Sequence, residues 1–274
     1  MAGTAGSSGA DNGTGATARF RYPQGLVVLG GNLYVADTNN NQIRVINLAT
    51  AVVTTLAGIS DGYPGALDGD GATARFGGPT GITTDGTYLY VTDQLTNRIR
   101  KVTTTGVTTT MSVGYTFNRP LGIATDGTSL FVLDADNRLV RRIDIATEVV
   151  STLAGSGDTG SADNANGLLA SFSQIYGVTL AGGQLYITDT QNQTIRQVDS
   201  VTGATSTLAG TVGVSGSADG TGTAATFGAP KGITSYGGNL YVAEYFNSTI
   251  RKIVISTGVT TTVAGTPGVI GSHD

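Results

Sequence analysis

The sequence contains no cysteine, and its one histidine, His273, is the residue before the C-terminus. Without cysteine, neither a disulfide nor a thiolate zinc site can form, and the usual indicator of redox compartment is missing. Histidine-based triads, thiol nucleophiles and histidine-ligated zinc are excluded from the chain that precedes His273. We therefore predict no catalytic residue and no cofactor.

Charged side chains are scarce as well, at 12% of the residues against about 25% in an average domain. The net charge of −4 disfavours a nucleic acid partner, because a phosphate backbone attracts basic surfaces. No apolar run approaches the roughly 18 residues of a membrane helix. The segment Met1 to Thr4 has neither the basic nor the apolar region of a signal peptide. We predict a soluble chain without membrane insertion.

Glycine is abundant, at 42 of 274 residues, and it recurs within a repeated block. Each copy begins with Phe and continues with a Gly-Ile/Val/Leu step, a turn, and a Leu-aromatic-Val/Ile run that ends in an acid. A polar loop, an Ile/Val-Arg pair and a Thr/Val-rich run follow. The copies begin at Phe20, Phe76, Phe117, Phe172 and Phe227, at spacings of 56, 41, 55 and 55 residues. Periods of this length are typical of propeller blades.

Within each copy, apolar and polar residues alternate over four to six positions, which favours strands. Dipeptides such as Gly30-Gly31 and Asp85-Gly86 mark tight hairpins, in which positive φ is required. The sequence predicts an all-β fold, a β-propeller of four-stranded antiparallel blades, with five blades in a single domain over residues 1–274. The predicted blades are 20–58, 76–113, 117–155, 172–210 and 227–265, with linker-like termini at 1–19 and 266–274.

The copies resemble a named family, the NHL repeat. The family pattern of Gly-Ile, "LYVAD", an Asn-containing loop and "IRKI" corresponds here to "GITTDGTYLYVTDQLTNRIRKV", from Gly81 to Val102. The resemblance implies a propeller that serves as a binding platform, although some relatives are enzymes. The best-known closed ring of the family has six blades, whereas this sequence has five copies. A five-repeat portion of a larger ring therefore remains an alternative to a closed ring of five, which we expect to be monomeric.

One acid and one arginine recur in every copy, and we interpret them as structural. The acids are Asp37, Asp93, Asp134, Asp189 and Glu244, and the arginines are Arg44, Arg100, Arg141, Arg196 and Arg251. Buried charges must be paired, so we expect an acid–arginine pair within or between blades. We also expect the acids to accept hydrogen bonds from backbone amides of the loop that follows each one. The aromatic series Tyr34, Tyr90, Phe131, Tyr186 and Tyr241 is assigned to the core.

Two further motifs favour turns over ligand sites. The run Gly220-x-Gly222-x-x-Ala225 matches a dinucleotide fingerprint but lacks the preceding strand and the long helix that the motif requires. Asp68-Gly69-Asp70-Gly71 is similar to a calcium loop, but Pro79 occupies the position of the acid that an EF-hand needs. Asp68 and Asp70 are therefore kept only as weak metal candidates.

Residues that differ between copies are the better indicators of function, because residues shared by all copies are explained by the fold. In an antiparallel meander, the loop between strands two and three and the segment between blades lie at the same end of each blade, and long loops on a rigid scaffold often bind partners. The partner-binding candidates at this end are Tyr63, Arg98, Arg138, Tyr245 and Phe246.

These observations predict a non-catalytic binding or scaffold propeller with a protein or glycan ligand, as one module of a larger extracytoplasmic bacterial protein. Low charge and abundant Thr and Gly suit that setting. A metal-dependent hydrolase or lyase, similar to lactonase propellers, is the second hypothesis, and it requires carboxylates around a divalent ion. A purely structural repeat module is the third.

Overall fold

The computed structural model describes residues 2–271, and these residues form an all-β, five-bladed β-propeller. They contain no α-helix, only five three-residue 3-10 turns. The predicted fold class is confirmed. The segment that matches a dinucleotide fingerprint forms a two-residue strand, Gly220–Thr221, and a 3-10 turn, Gly222–Ala224, rather than a long helix.

Each blade is an antiparallel sheet of consecutive strands, called strands one to four. Blade 1 contains β2 Pro23–Leu29, β3 Asn32–Asp37, β4 Gln42–Asn47 and β5 Val52–Ala57, preceded by β1 Gly13–Thr14. Blade 2 contains β6 Pro79–Thr84, β7 Tyr88–Asp93, β8 Arg98–Thr103 and β9 Thr108–Thr110. Blade 3 contains β10 Pro120–Thr125, β11 Ser129–Asp134, β12 Leu139–Asp144 and β13 Val150–Ala154. Blade 4 contains β14 Ile175–Ala181, β15 Gln184–Asp189, β16 Thr194–Asp199 and β17 Thr205–Ala209. Blade 5 contains β19 Pro230–Tyr236, β20 Asn239–Glu244, β21 Thr249–Val254 and β22 Val259–Ala264, preceded by β18 Gly220–Thr221.

The chain divides into two compact units. Unit 1 is Met1–Val132 with Ile143–Val150, and unit 2 is Leu133–Arg142 with Ser151–Asp274. In unit 1, one apolar cluster joins blades 1 and 2, and a second joins blade 2 to residues of blade 3. In unit 2, a cluster joins blades 4 and 5. The core therefore consists of layers between neighbouring sheets, as the alternation of apolar residues predicts.

Strand one of a blade lies against strand one of its neighbour: β2 against β6 in unit 1, and β14 against β19 in unit 2. The Gly that recurs in strand one permits this approach. A Cβ on Gly25 would lie 2.3 Å from the carbonyl oxygen of Thr80, and one on Gly177 would lie 2.2 Å from that of Lys231. No side chain fits there, because the neighbouring backbone already fills the space.

The hairpins between strands one and two use two different loops. In blade 1, Gly30 and Gly31 have φ of 58° and 78°, as expected for a two-residue turn with both central residues at positive φ. In blade 2 the loop has three residues, and only Gly86 has positive φ. The Asp85 carboxylate instead accepts hydrogen bonds from the backbone N–H groups of Thr87 and Tyr88, both at 2.8 Å. The Asp-Gly dipeptide thus supplies a side-chain acceptor as well as a flexible residue.

The segments that precede the blades also contribute structure that the repeat pattern did not predict. Residues Gly13 and Thr14 pair with Val53 and Val52 and add a fifth strand to the outer edge of blade 1. Strand β18 pairs with β22 of blade 5 in the same way. Each leading segment therefore covers the edge strand of its own blade, which would otherwise present unpaired backbone groups.

Candidate functional site

Each blade contains an ion pair between the acid that ends strand two and the arginine of strand three. In blade 1, Arg44 Nη1 lies 3.0 Å from Asp37 Oδ2, and both side chains are fully buried. The other pairs, at 3.2–3.4 Å, are Asp93–Arg100, Asp134–Arg141, Asp189–Arg196 and Glu244–Arg251. The predicted acid–arginine pairing is confirmed, and all five pairs form within a blade.

The acids accept their backbone hydrogen bonds from a different segment than predicted. Asp37 Oδ1 accepts from Arg21 N at 2.7 Å, and Asp93 Oδ1 accepts from Gly77 N at 2.6 Å. Both donors precede strand one of the same blade, so the expectation of amides in the following loop is wrong. The reason is the antiparallel order, which places the end of strand two beside the start of strand one.

Each buried arginine has further partners outside the strands. Arg100 Nη2 lies 2.9 Å from Asp68 Oδ1, and its guanidinium carbon lies 5.0 Å from the centroid of the Phe76 ring. In blades 4 and 5 the second partner is an acid of the leading segment, Asp163 for Arg196 and Asp219 for Arg251. In blade 1, Arg44 donates instead to the side-chain oxygen of Asn12. Burial raises the pKa of Asp93 to about 6, since desolvation disfavours the charged form. The recurrent polar groups are thus used by the fold.

The two weak metal candidates already have protein donors. Asp68 accepts from Arg100 and from the N–H and hydroxyl of Thr110, at 2.8–3.0 Å. Burial raises its pKa, but the Thr110 and Arg100 contacts outweigh burial and leave the pKa below the ordinary value. Asp70 Oδ1 accepts from Ala72 N, Thr73 N and Thr73 Oγ1. Among residues 2–271, no group of three or more His, Cys, Asp or Glu side chains is placed to hold a metal ion. His273 lies outside the described residues.

Three of the partner-binding candidates lie on separate elements. Tyr63 is exposed in the segment before blade 2, where its carbonyl oxygen accepts from Arg75 Nη1 at 3.2 Å. Arg98 is exposed at the start of β8 in unit 1. Arg138 belongs to unit 2, where it has φ of 56° and donates from Nη1 to the carbonyl oxygen of Gly157 at 3.4 Å.

Arg98 lines a groove of about 560 Å³ in unit 1. The opposite wall is the short connection from blade 2 to blade 3, which includes Met111 and Tyr115. This connection lacks the extra residues that the 55- and 56-residue spacings add elsewhere. The groove therefore lies where the one short spacing, of 41 residues, leaves the end of blade 2 without an insert.

The structure brings the two remaining candidates together. Tyr245 and Phe246 follow β20, each residue is 65% exposed, and their ring centroids are 5.6 Å apart. Lys231 Nζ, from the start of β19, lies 4.0 Å from the centroid of the Tyr245 ring. It also lies 5.0 Å from the ring centroid of Tyr176 in β14. An ammonium group is thus held between two tyrosine faces, beside an exposed aromatic pair.

Lys231 and Tyr176 are not among the predicted site residues, although they too differ from the equivalent residues of the other copies. Both precede the recurrent Gly of strand one, at a position that no two copies share: Gln24, Thr80, Leu121, Tyr176 and Lys231. What the sequence could not indicate is the distance between them. Lys231 meets Tyr176 because β14 and β19 lie side by side in unit 2.

The comparisons with known proteins agree with the repeat pattern. The family model described as NHL repeat matches residues 20–46. NHL repeat-containing protein 2 of Gallus gallus is 28% identical over 292 residues, covering 97% of this chain and 36% of that protein. Protein SUPPRESSOR OF QUENCHING 1, chloroplastic, of Arabidopsis thaliana is 30% identical over 287 residues, covering 93% and 27%. The chain therefore spans just over a third of the length of the first of these curated relatives and about a quarter of the length of the second.

Solved structures share the fold at lower sequence identity. A structural genomics protein of Bacteroides thetaiotaomicron aligns with a TM-score of 0.73 at 21% identity, over 98% of this chain and 64% of that one. An auxiliary nutrient binding protein of the same organism aligns with a TM-score of 0.68 at 17% identity, over 90% of this chain and 58% of that one. Virginiamycin B lyase of Staphylococcus aureus aligns with a TM-score of 0.60 at 19% identity, over 88% of this chain and 69% of that one.

At these identities the solved structures establish the fold alone. No helix among residues 2–271 has the length and apolar character needed to cross a membrane. The repeated blade, the family model and the curated relatives give one consistent assignment. The chain is a β-propeller whose repeats are similar to the NHL repeat.

Proposed function

We propose that this chain is a non-catalytic binding propeller that recognises a protein or glycan ligand through the loop end of its blades. The contact is centred on Tyr245 and Phe246. The observation that carries the proposal is the aromatic pair, in which each residue is 65% exposed, directly after β20 of blade 5. Large exposed aromatics of this kind are enriched where partners bind.

Lys231 indicates the chemistry of the ligand. Its ammonium group contacts the faces of Tyr176 and Tyr245, and it forms no salt bridge with a carboxylate of the described chain. Cation–π contacts leave the N–H donors of a lysine available, because the ring faces accept no full hydrogen bond. A ligand that places a carboxylate beside an apolar ring or side chain would satisfy Lys231 and the aromatic pair together.

The experiment compares the wild-type chain with the double variant Tyr245→Ala/Phe246→Ala on an array of neutral and acidic glycans and in pull-downs with candidate proteins. We expect the double variant to lose binding. Tyr236→Ala is the matched control, since Tyr236 is exposed at the other end of the same blade. Lys231→Gln should weaken only the acidic ligands and reduce the salt dependence of binding. Equal binding by the wild type and the double variant would contradict the proposal.

The metal-dependent hydrolase or lyase hypothesis has no specific support from the described residues. It requires carboxylates that converge on one ion, whereas the recurrent acids are paired with arginines. The likeness to virginiamycin B lyase is a likeness of fold at 19% identity. Metal analysis of the purified protein tests this hypothesis, and a stoichiometric divalent ion would support it. Under the third hypothesis, a purely structural module, neither array nor pull-down would detect a ligand.

We also propose an extracytoplasmic or secreted location, in a bacterial protein. Low charge and the absence of cysteine suit this setting, and the fold is shared with a bacterial protein described as an auxiliary nutrient binding protein. Fractionation of the producing cells, with detection by an antibody to the chain, tests the location. Recovery in the cytoplasmic fraction alone would contradict it.

A further inference from the structure

Blade 2, in unit 1, differs from the other blades in how the chain leaves strand four. In the other blades the residue after strand four is a glycine with φ of 83–103°: Gly58, Gly155, Gly210 and Gly265. A Cβ on Gly58 or Gly210 would lie 2.4 Å from a carbonyl oxygen of the loop between strands two and three of the same blade. These glycines therefore let the chain turn back over that loop.

Blade 2 has Ser112 at this position. Ser112 and Gly210 both follow the residue of strand four that faces the Ile of strand three. The backbone N–H of Gly210 donates to the carbonyl oxygen of Gly222 at 3.1 Å, whereas that of Ser112 donates to Glu148 Oε2 at 2.6 Å. A serine side chain does not fit the close approach that glycine permits, so the chain does not cover the loop of blade 2. The 560 Å³ groove lies beside that loop.

Two polar groups of residues that line the groove have no partner among residues 2–271. The Arg98 guanidinium forms no salt bridge, hydrogen bond or cation–π contact with them, and the carbonyl oxygen of Thr96 accepts no hydrogen bond from them. In blade 4, the carbonyl oxygen equivalent to that of Thr96 belongs to Asn192, and it accepts from the backbone N–H of Gly213 at 2.9 Å. The segment after blade 4 thus satisfies a carbonyl oxygen that blade 2 leaves available.

The opposite wall of the groove is apolar. It includes Met111, Val113 and Tyr115, and Phe117 packs edge-on against Tyr115 with ring centroids 5.1 Å apart. Met111 and Phe117 are buried in the apolar cluster between blades 2 and 3 of unit 1, which holds this wall in place. Ligand sites commonly combine such an apolar wall with a few polar groups that fix orientation. A ligand that reaches from Arg98 to the wall would pair a carboxylate with an apolar side chain.

We propose that this groove binds an acidic peptide segment of a partner protein. A carboxylate of the peptide pairs with Arg98, a backbone N–H donates to the Thr96 carbonyl oxygen, and an apolar side chain packs on Met111 and Tyr115. A peptide is favoured over a glycan because the backbone contact reproduces the one that the chain's own segment makes in blade 4. The site is distinct from the contact proposed at Tyr245, since all of its lining residues lie between positions 96 and 117.

The probe is a library of random heptapeptides displayed on phage. The library is selected on the immobilised wild-type chain and counter-selected against Arg98→Gln, which removes peptides that bind elsewhere, including at Tyr245 and Phe246. We expect the surviving peptides to be enriched in Asp or Glu. The chain has a net charge of −4 and therefore no general attraction for acidic peptides, so this enrichment would report the local guanidinium.

The Kd of a selected peptide is then measured by fluorescence anisotropy. We expect Arg98→Gln to weaken binding about tenfold, as the loss of a hydrogen bond to a charged group would, and to leave the melting temperature unchanged. Arg21→Gln is the matched control, because Arg21 is exposed in unit 1, does not line the groove and carries the same charge. Its Kd should equal that of the wild type. Replacing the acid of the peptide by its amide should weaken binding to the wild type but not to Arg98→Gln.

A scan of backbone N-methylation along the peptide tests the contact with Thr96. One peptide bond should lose binding when methylated, because its nitrogen donates to the carbonyl oxygen. The proposal would be overturned by a selection that yields no peptide, by surviving peptides without an acid, or by methylation that is harmless at every position. An acidic glycan that binds the wild type but not Arg98→Gln, with no surviving peptide, would assign the groove to a glycan instead.

Discussion

Arg196 lies between two acids that differ in their access to water. Its Nη1 is 3.2 Å from Asp189 Oδ2, and both of these side chains are fully buried. Its Nη2 is 2.6 Å from Oδ1 of Asp163, whose side chain is 44% exposed. Because the arginine is common to both contacts, the two acids allow a direct comparison of a buried pair with a surface pair.

We expect Asp189→Asn to lower the free energy of unfolding by about 3–5 kcal/mol, because it removes the buried anion of a fully buried guanidinium and leaves only the partly exposed Asp163. Asp163→Asn should cost at most about 1 kcal/mol, since water screens and replaces an exposed partner. Urea denaturation of both variants measures the difference. Equal losses of unfolding free energy would contradict this expectation, because they would show that Asp163 of the leading segment stabilises the fold as much as Asp189 of the blade.

Two strand-one glycines of unit 2, Gly177 and Gly232, should differ in how much their substitution by alanine lowers the free energy of unfolding. Gly177→Ala places a methyl group 2.2 Å from the carbonyl oxygen of Lys231, so β14 and β19 must separate. We expect a loss of about 1–3 kcal/mol, as for other overpacked sites. Gly232→Ala, with its nearest neighbour at 3.7 Å, should change the free energy of unfolding by less than about 0.5 kcal/mol, as exposed substitutions do. Thermal unfolding of a dilute sample separates the two, and equal losses would contradict the assignment of Gly177 to a blade contact.

Thr188 joins blades 4 and 5 through its hydroxyl, which donates to the Lys231 carbonyl oxygen at 2.8 Å. Thr188→Val keeps the shape of the side chain and removes the donor. We expect it to cost about 1–2 kcal/mol, because the buried acceptor loses a partner. Thr261→Val, at an exposed position of β22, is the control and should be neutral. An unchanged melting temperature for Thr188→Val would show that this hydrogen bond does not hold the blades together.

Asp199 should make stability depend on pH in the acidic range. The N–H of Thr202 and the side-chain amide of Gln184 donate to its carboxylate and lower its pKa to about 2. A carboxyl whose pKa is lower in the folded state stabilises the fold above its unfolded pKa, near 3.8, and loses that contribution as pH falls towards 2. The wild type should therefore be more stable than Asp199→Asn at pH 7, and the difference should disappear near pH 2. A difference that stays constant across this range would contradict the lowered pKa.

A calcium titration tests the weak metal candidates. The Asp68 and Asp70 oxygens already accept hydrogen bonds from Arg100, Thr110 and Thr73. An ion would have to displace these donors, so we expect calcium to leave the melting temperature unchanged. A rise in melting temperature that Asp70→Asn abolishes would instead establish a site in this turn.

The repeat made much of the fold predictable from the sequence. Five copies of one alternating pattern, each with Gly at strand one and an acid at the end of strand two, determine four strands and their order. The pairing of Asp37 with Arg44 followed as well, because a buried charge requires a partner and both residues recur together. These conclusions depend on local geometry, which is the same for equivalent strands in all five copies.

The candidate site was only partly predictable. Tyr245 and Phe246 were found because they differ from the other copies, whereas Lys231 was not recognised as their neighbour. The sequence by itself determined what each blade is and which side chains hold it together. Only the tertiary structure decided which faces are covered and that Lys231 contacts rings from two blades, because burial and distance between strands remote in sequence depend on how one sheet packs against the next.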